Sequence, residues 1–210
     1  MKVGTDGTLL GAWAHGGEHV LDIGTGTGLI ALMMAQRFPQ ACIVAIDIDR
    51  DACSQAAENV ASSPFASRIS VVCRSLQEYA CCAGETDVFD AIVCNPPFFL
   101  HSLNSPDERR NMARHADALP PRQLFSCARE LLDRDGELSV IVPAEVLRAY
   151  DDEAVVAALF PSRVCAFRTS LRKPVRRYLL SYRKHPSAVE RCELRLGDER
   201  YQAMVADFYL

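Results

Sequence analysis

The 210-residue chain contains no uninterrupted apolar run long enough to cross a bilayer. Its opening, Met1-Lys2-Val3-Gly4-Thr5-Asp6-Gly7, lacks the basic start and apolar segment of a signal peptide. Nine cysteines stand at 42, 53, 73, 81, 82, 94, 127, 165 and 192 without forming a Cys-x-x-Cys pair. Closely spaced zinc ligands are therefore missing, and no metal site is expected. Most of these cysteines sit in apolar runs, so they read as reduced, buried thiols of a cytoplasmic protein. Internal repeats, low-complexity tracts and an interdomain linker are missing too, which makes a single domain over residues 1–210 the expectation. Neither a membrane nor an obligate protein partner is indicated. What is present, 49% hydrophobic and 24% charged residues, is the composition of a globular protein large enough to fold on its own core.

One absence is local. Residues 154–189 contain no acid but carry Arg163, Arg168, Arg172, Lys173, Arg176, Arg177, Arg183 and Lys184, a charge of +8. The whole chain carries −4, so the remainder sums to −12. Such asymmetry points to an anionic partner, and a nucleic-acid face is the favoured reading. Basic residues that keep strand edges from aggregating are the alternative.

Apolar runs and turn residues divide the chain into alternating elements. A short helix over 5–14, with Thr5 or Asp6 as its cap, is followed by strands at 19–23, 42–47, 69–73, 89–94 and 136–142. Helices are expected at 29–38, 51–61, 120–132 and 145–159, two closing strands at 164–169 and 178–182, and a short helix in the tail from 199. Strands alternating with helices argue for a doubly wound α/β sheet, which binds ligands at the carboxyl ends of its strands. Asp22 with its glycines, Asp47, Cys73-Arg74-Ser75 and Asn95-Pro96-Pro97-Phe98 all fall at such ends.

Gly24-x-Gly26-x-Gly28 lies between a strand and a helix, where glycines let the backbone approach a ligand. Gly26-Thr27-Gly28-Leu29-Ile30-Ala31 also fits a nicotinamide-binding turn, with a pyrophosphate at the helix end. Asp22 favours S-adenosylmethionine instead. An acid just ahead of the glycines repels a pyrophosphate and attracts the ammonium group of that cofactor, directly or through water. Asp47 is placed to accept both ribose hydroxyls. Asp49 competes for that role but is better placed to cap the following helix. Ser75 and Leu76 fall where the adenine ring would lie, or are plain loop.

Asn95-Pro96-Pro97-Phe98 follows a buried strand. Each proline fixes its own φ and removes an N–H, and the first pushes Asn95 out of the helical region. The Asn95 side-chain oxygen and the Pro96 carbonyl can then accept both hydrogens of an exocyclic amine. They orient its nitrogen and stabilise the positive charge that develops there. Phe98 can stack on the ring that carries the amine. A strand-end turn with a core phenylalanine is the bland alternative.

With these residues in place, the chain resembles the bacterial tRNA N6-adenine methyltransferases that modify the adenine beside the anticodon of a valine tRNA. The resemblance rests on residues 1–7, Leu9-Leu10-Gly11-Ala12-Trp13, Leu21-Asp22-Ile23-Gly24 with the following glycines, and Asn95-Pro96-Pro97-Phe98. Looser matches are Ser105-Pro106, Arg109-Arg110, Ala113-Arg114-His115 and the ending Asp207-Phe208-Tyr209-Leu210. It implies a Rossmann-like class I methyltransferase fold, doubly wound and mostly parallel with an antiparallel closing strand. It also implies methyl transfer from S-adenosylmethionine, with S-adenosylhomocysteine as product. Thr5 and Asp6 would lie near the cofactor. Arg109, Arg110, Arg114 and His115 would contact RNA phosphates, or form a solvated helix face. Arg172, Lys173, Arg176 and Arg177 would form a second basic surface for tRNA. Two departures stand out: the family usually carries a further segment ahead of Lys2, which would matter for cofactor retention or activity if it helps close the site, and Phe98 stands where many relatives have Tyr. An enzyme acting on a protein glutamine amide and a non-catalytic RNA- or cofactor-binding module remain open readings.

Overall fold

Side chains alternate along a strand, so a strand covered on both faces needs apolar residues at almost every position. In β1 (His19–Ile23), Val20 enters one hydrophobic layer and Leu21 the other. In β4 (Phe89–Cys94), Ala91 and Val93 share the layer of Val20, whereas Ile92 and Cys94 share that of Leu21. The computed structural model describes residues 4–84, 88–97 and 119–208. Its eight-stranded sheet has the order β3-β2-β1-β4-β5-β7-β6-β8. The further strands are β2 (Cys42–Asp47), β3 (Ile69–Cys73), β5 (Leu132–Pro143), β6 (Phe160–Arg168), β7 (Arg177–Arg183) and β8 (Glu190–Arg195). β1 to β5 pair in parallel, and β7 runs antiparallel between β5 and β6. The mostly parallel, doubly wound α/β sheet with its antiparallel closing strand is thus the observed fold. Helices α1 (Thr5–Trp13), α2 (Leu29–Arg37), α3 (Arg50–Ala61) and α7 (Glu199–Val205) contribute to the first layer. Helices α4 (Leu76–Cys82), α5 (Pro121–Leu131) and α6 (Leu147–Val156) contribute to the second.

Several local features differ from the sequence reading. β8 was not anticipated, because Glu190-Arg191-Cys192-Glu193 is polar and stays exposed along the sheet edge. α4 is also new; its seven residues after Ser75 are too short a run to show a helical period. β5 starts four residues earlier than expected (132 against 136), directly from α5. The strand register against β4 shifts between Phe89 and Ala91, and a Cβ at Gly136 would come within 2.7 Å of the Phe89 carbonyl oxygen, so glycine is needed there. At the start of α1, Gly4 is the N-cap residue and no side chain caps the helix, contrary to the role expected of Thr5 or Asp6. The cysteines are free thiols, but only Cys53, Cys94 and Cys165 are buried; Cys42, Cys73, Cys81, Cys82 and Cys192 are exposed. Several exposed thiols sit on sheet-edge strands or short helices, where an apolar run does not imply burial.

The acid-free segment is not a uniform +8 surface, because acids from elsewhere in the chain fold onto it. Glu137, 3% exposed, accepts from Arg163 Nη1 at 3.0 Å and from Arg183 Nε at 3.0 Å. His15 Nδ1 lies 3.6 Å away, and the Ser162 hydroxyl donates at 3.2 Å. Arg163 also donates to the Trp13 carbonyl and lies 3.9 Å from the Trp13 ring centre, which ties the end of α1 to β6. Arg168 pairs with Glu193 at 2.8 Å, and Lys184 donates to the Leu132 carbonyl. Burial alone raises the Glu137 carboxyl, but the Ser181 hydroxyl and the charges of Arg163, His15 and Arg183 outweigh it and hold it below the ordinary range. Replacing Glu137 by Gln leaves two guanidinium groups without their anion. Denaturant unfolding at neutral pH is expected to show a loss of about 3–5 kcal/mol. The folded-state value of Glu137 is depressed, so its contribution is present above the ordinary carboxylate range and fades as pH falls through the depressed value. The gap between wild type and Glu137→Gln should therefore close on acidification.

Candidate active site

The chain runs outward from β1 through β2 to β3, then returns to β4 on the other side of β1. Between β1 and β4 the loops diverge and leave a crevice at the carboxyl ends of the strands. A cleft of about 570 Å³ opens there, a size suited to a small-molecule ligand. Its wall includes Gly24, Gly26, Asp47, Ser75, Leu76, Asn95 and Pro96. The sequence had placed all seven in one site, and the sheet brings them together.

The glycine loop is fixed from below and from the side. Gly24 and Thr25 donate backbone N–H groups to the Ile46 carbonyl at 2.9 and 3.0 Å. Gly26 N–H donates to Asp47 Oδ2 at 2.9 Å. Gly24, Gly26 and Gly28 have φ of 69°, 58° and 81°, left-handed values that strain any side chain. A Cβ on Gly24 or Gly26 would meet no atom within 4 Å, so the backbone there presents an open face. Asp22 is wholly buried behind this loop, not on the cleft wall. Its Oδ2 accepts from the Thr25 hydroxyl at 2.6 Å and from Ala31 N–H at 3.1 Å. Its Oδ1 has no partner among the described residues. Burial pushes the Asp22 carboxyl up to about 6, against the lowering effect of the Thr25 and Ala31 hydrogen bonds. A cationic group or a water on the cofactor side would complete it. That unsatisfied oxygen and the open glycine face fit the ammonium-bearing end of S-adenosylmethionine.

Asp47 is half-buried and accepts twice from the backbone, from Gly26 N–H and, through Oδ1, from Asp49 N–H at 3.0 Å. A carboxylate has about four acceptor sites, so ribose hydroxyls can still be accommodated. Asp49 caps α3 as expected, accepting from Asp51 and Ala52 N–H at 2.8 and 3.4 Å. Ser75 heads α4 in a capping box with Glu78, and its hydroxyl donates to Glu78 Oε2 at 2.9 Å. Its place on the wall is therefore tied to a helix start and not to a plain loop. Leu76 is buried behind it. The sequence reading missed Ile48, Ala52, Gln77, Leu119 and Gln123 on the wall. Ile48 carried a signal, an apolar residue directly after the ribose-type acid that stays 48% exposed. Gln77 and Gln123, hydrogen-bonded to each other across α4 and α5, carried none in a single sequence.

Asn95 is half-buried, Pro96 buried and Pro97 exposed at the end of β4. A Cβ on Gly7 would lie 3.2 Å from Leu29 Cδ2 and 4.0 Å from Asn95 Nδ2, so the first turn of α1, with Thr5 and Asp6, stands beside Asn95. Phe98, Arg109, Arg110, Arg114 and His115 lie outside the described residues. Arg172, Lys173 and Arg176 are exposed in the turn between β6 and β7. Since Arg177 pairs with Pro143 at the end of β5, this turn shares the sheet edge that carries the cleft. Arg177 is engaged with Asp6 at 2.8 Å.

Comparison with known proteins agrees with this geometry. The family model described as "Methyltransferase small domain" matches residues 8–151. The tRNA1(Val) (adenine(37)-N6)-methyltransferase of Parabacteroides distasonis is 44% identical over all of this chain and 91% of its own length. The protein of the same name from Porphyromonas gingivalis is 44% identical over 91% of this chain and 78% of its own. Among solved structures, one described as a predicted O-methyltransferase from Agrobacterium tumefaciens superposes with a TM-score of 0.71 at 15% identity, over 96% of each chain. A glycopeptide N-methyltransferase complexed with S-adenosylmethionine gives 0.60 at 13% identity, over 86% of this chain and 95% of its own.

The two acids at the end of β2 are separable by substitution. Asp47→Ala is expected to weaken S-adenosylhomocysteine binding at least about tenfold in calorimetry, as loss of hydrogen bonds to a charged group should. Asp49→Ala should instead lower stability by about 1 kcal/mol, the cost of a lost cap, with a much smaller effect on the ligand.

Proposed function

Because the chain belongs to the methyltransferase small-domain family, and within it to the bacterial tRNA1(Val) (adenine(37)-N6)-methyltransferases, we propose that it methylates the N6 amine of an adenine beside the anticodon of a valine tRNA. It is an S-adenosylmethionine-dependent enzyme, and the reading takes residues 1–210 as one domain and places it in the cytoplasm, where tRNA is modified. Among the described residues, no helix is long and apolar enough to cross a membrane. The observation that carries the proposal is the position of Asn95-Pro96, at the end of β4 and on the same cleft as Asp47 and the glycine loop.

S-adenosylmethionine supplies an electrophilic methyl group on a sulfonium. Asp22 and the glycine loop would hold its ammonium-bearing end, and Asp47 its ribose. Leu76 and Ile48 would offer apolar cover to its adenine ring. The Asn95 side-chain oxygen and the Pro96 carbonyl accept the two hydrogens of the substrate amine and so hold its nitrogen in line for transfer. The same dipoles stabilise the positive charge that grows on that nitrogen. The methylated amine is acidic enough to lose its extra proton to water, so no strong base is required of the protein. Phe98 would stack on the target base, which must be swung out of its own stack to reach the cleft, at least cost when it is an unpaired loop base. Arg172, Lys173 and Arg176 would hold RNA phosphates along the edge that carries the cleft, and the resemblance gives Arg109, Arg110, Arg114 and His115 the same role.

In cells lacking the protein, mass spectrometry of tRNA nucleosides is expected to show loss of N6-methyladenosine; an unchanged level would sink the substrate assignment. Arg172→Ala and Lys173→Ala should weaken tRNA binding and reduce the salt slope of log K by about 0.7–0.9 for each phosphate contact removed. A slope equal to that of wild type would take the β6–β7 turn out of the RNA surface.

A further inference from the structure

The sequence groups Arg177 with Arg172, Lys173 and Arg176 as an RNA contact, but its surroundings differ from theirs. Its side chain is 31% exposed, and its Nε donates to Asp6 Oδ2 at 2.8 Å. Its Nη1 donates to the carbonyl of Arg176 at 3.1 Å. Its backbone is held on both sides, by Pro143 of β5 and Phe167 of β6. Arg177 is therefore anchored at the start of β7, between two neighbouring strands. Asp6 sits in the first turn of α1, where an acid is favoured by the helix dipole. No side-chain cap fixes that turn. The next residue, Gly7, packs against Leu29 and leaves its α-carbon face beside the Asn95 amide, so a shift of the turn is felt at Asn95.

We infer that the Asp6–Arg177 ion pair is a positioning device for methyl transfer: it sets the first turn of α1 against Asn95 and ties it to the turn that faces the RNA. Arg177 is a positioning residue and not a phosphate contact. The inference rests on the methyl-transfer reading above. It also joins the two surfaces of the reaction. Arg176, exposed toward RNA, accepts the Arg177 guanidinium through its carbonyl, while its own N–H donates to Phe167 O at 3.0 Å and its carbonyl accepts from Ala144 N–H at 3.3 Å. Only one peptide separates an exposed base from the strut.

Four variants test it: Asp6→Asn, Arg177→Ala, Arg177→Lys and the exchanged pair Asp6→Arg with Arg177→Asp. Each is measured for melting, tRNA affinity across salt, kcat, and hydrogen exchange in the first turn of α1. Asp6→Asn and Arg177→Ala are expected to lower kcat by about tenfold to a hundredfold, the scale of a small misplacement at a reacting centre. Both should speed exchange in that turn and leave the salt slope of tRNA binding as in wild type. Arg177→Lys and the exchanged pair should recover part of the loss. The inference is overturned if Arg177→Ala weakens tRNA binding and flattens the salt slope while kcat holds, or if Asp6→Asn changes nothing. If wild type itself does not methylate tRNA, the functional reading fails. Hydrogen exchange in α1 then still decides whether the strut exists, and unchanged exchange overturns it.

Discussion

The site depends on a backbone that cannot hold its shape unaided. Gly24, Gly26 and Gly28 occupy left-handed conformations in one short loop, and glycine has the most conformational freedom to lose. Two carboxylates at adjacent strand ends hold it. Asp22 grips Thr25 and Ala31 from beneath, and Asp47 grips Gly26 from β2. Both acids therefore have a structural duty before any ligand arrives. Asp22 is the more costly of the two, since it is wholly buried with one oxygen unpartnered. A buried anion in that state is destabilising unless something on the ligand side completes it. The loop is thus built in a form that a cationic ligand group improves.

The sheet supplies the rest. Its order places β1 and β4 side by side although two strands and three helices separate them in sequence. The glycine loop and Asn95-Pro96 then face each other across one crevice. Parallel pairing sets Ile23 opposite both Ile46 and Cys94, so the three strand ends finish at one level. At the far side, β7 returns antiparallel and delivers the β6–β7 turn, with its exposed bases, to that same edge. The opposite end of β5 is closed by the Glu137 network, which engages the side chains of Arg163 and Arg183.

Much of this was legible in the residues. Buried parallel strands betray themselves as continuous apolar runs, and the chemistry-bearing residues stand just after them. Asp49 was readable as a cap because an acid before a helical run has few other uses. Three kinds of feature were not legible. β8 is polar because it lies at an edge, so it has no strand signature. The basic run looked uniformly positive because one-dimensional spacing hides Glu137, Glu193 and Asp6, which meet it only in three dimensions. Ser75 looked like a ligand-facing loop residue, yet its hydroxyl serves a capping box with Glu78, a pattern visible in Ser75-Leu76-Gln77-Glu78 only once a helix is expected there.

In the proposed reaction Asn95 and Pro96 present an amine of a tRNA adenine for methylation. It is tested most directly by supplying S-adenosylmethionine labelled in its methyl group, with purified valine tRNA, to wild type and to Asn95→Ala, and digesting the RNA to nucleosides. Label is expected in N6-methyladenosine with wild type and at least about a hundredfold less with Asn95→Ala, the scale of a lost transition-state dipole. Label appearing in protein with none in RNA, or equal labelling of tRNA by both proteins, would contradict it.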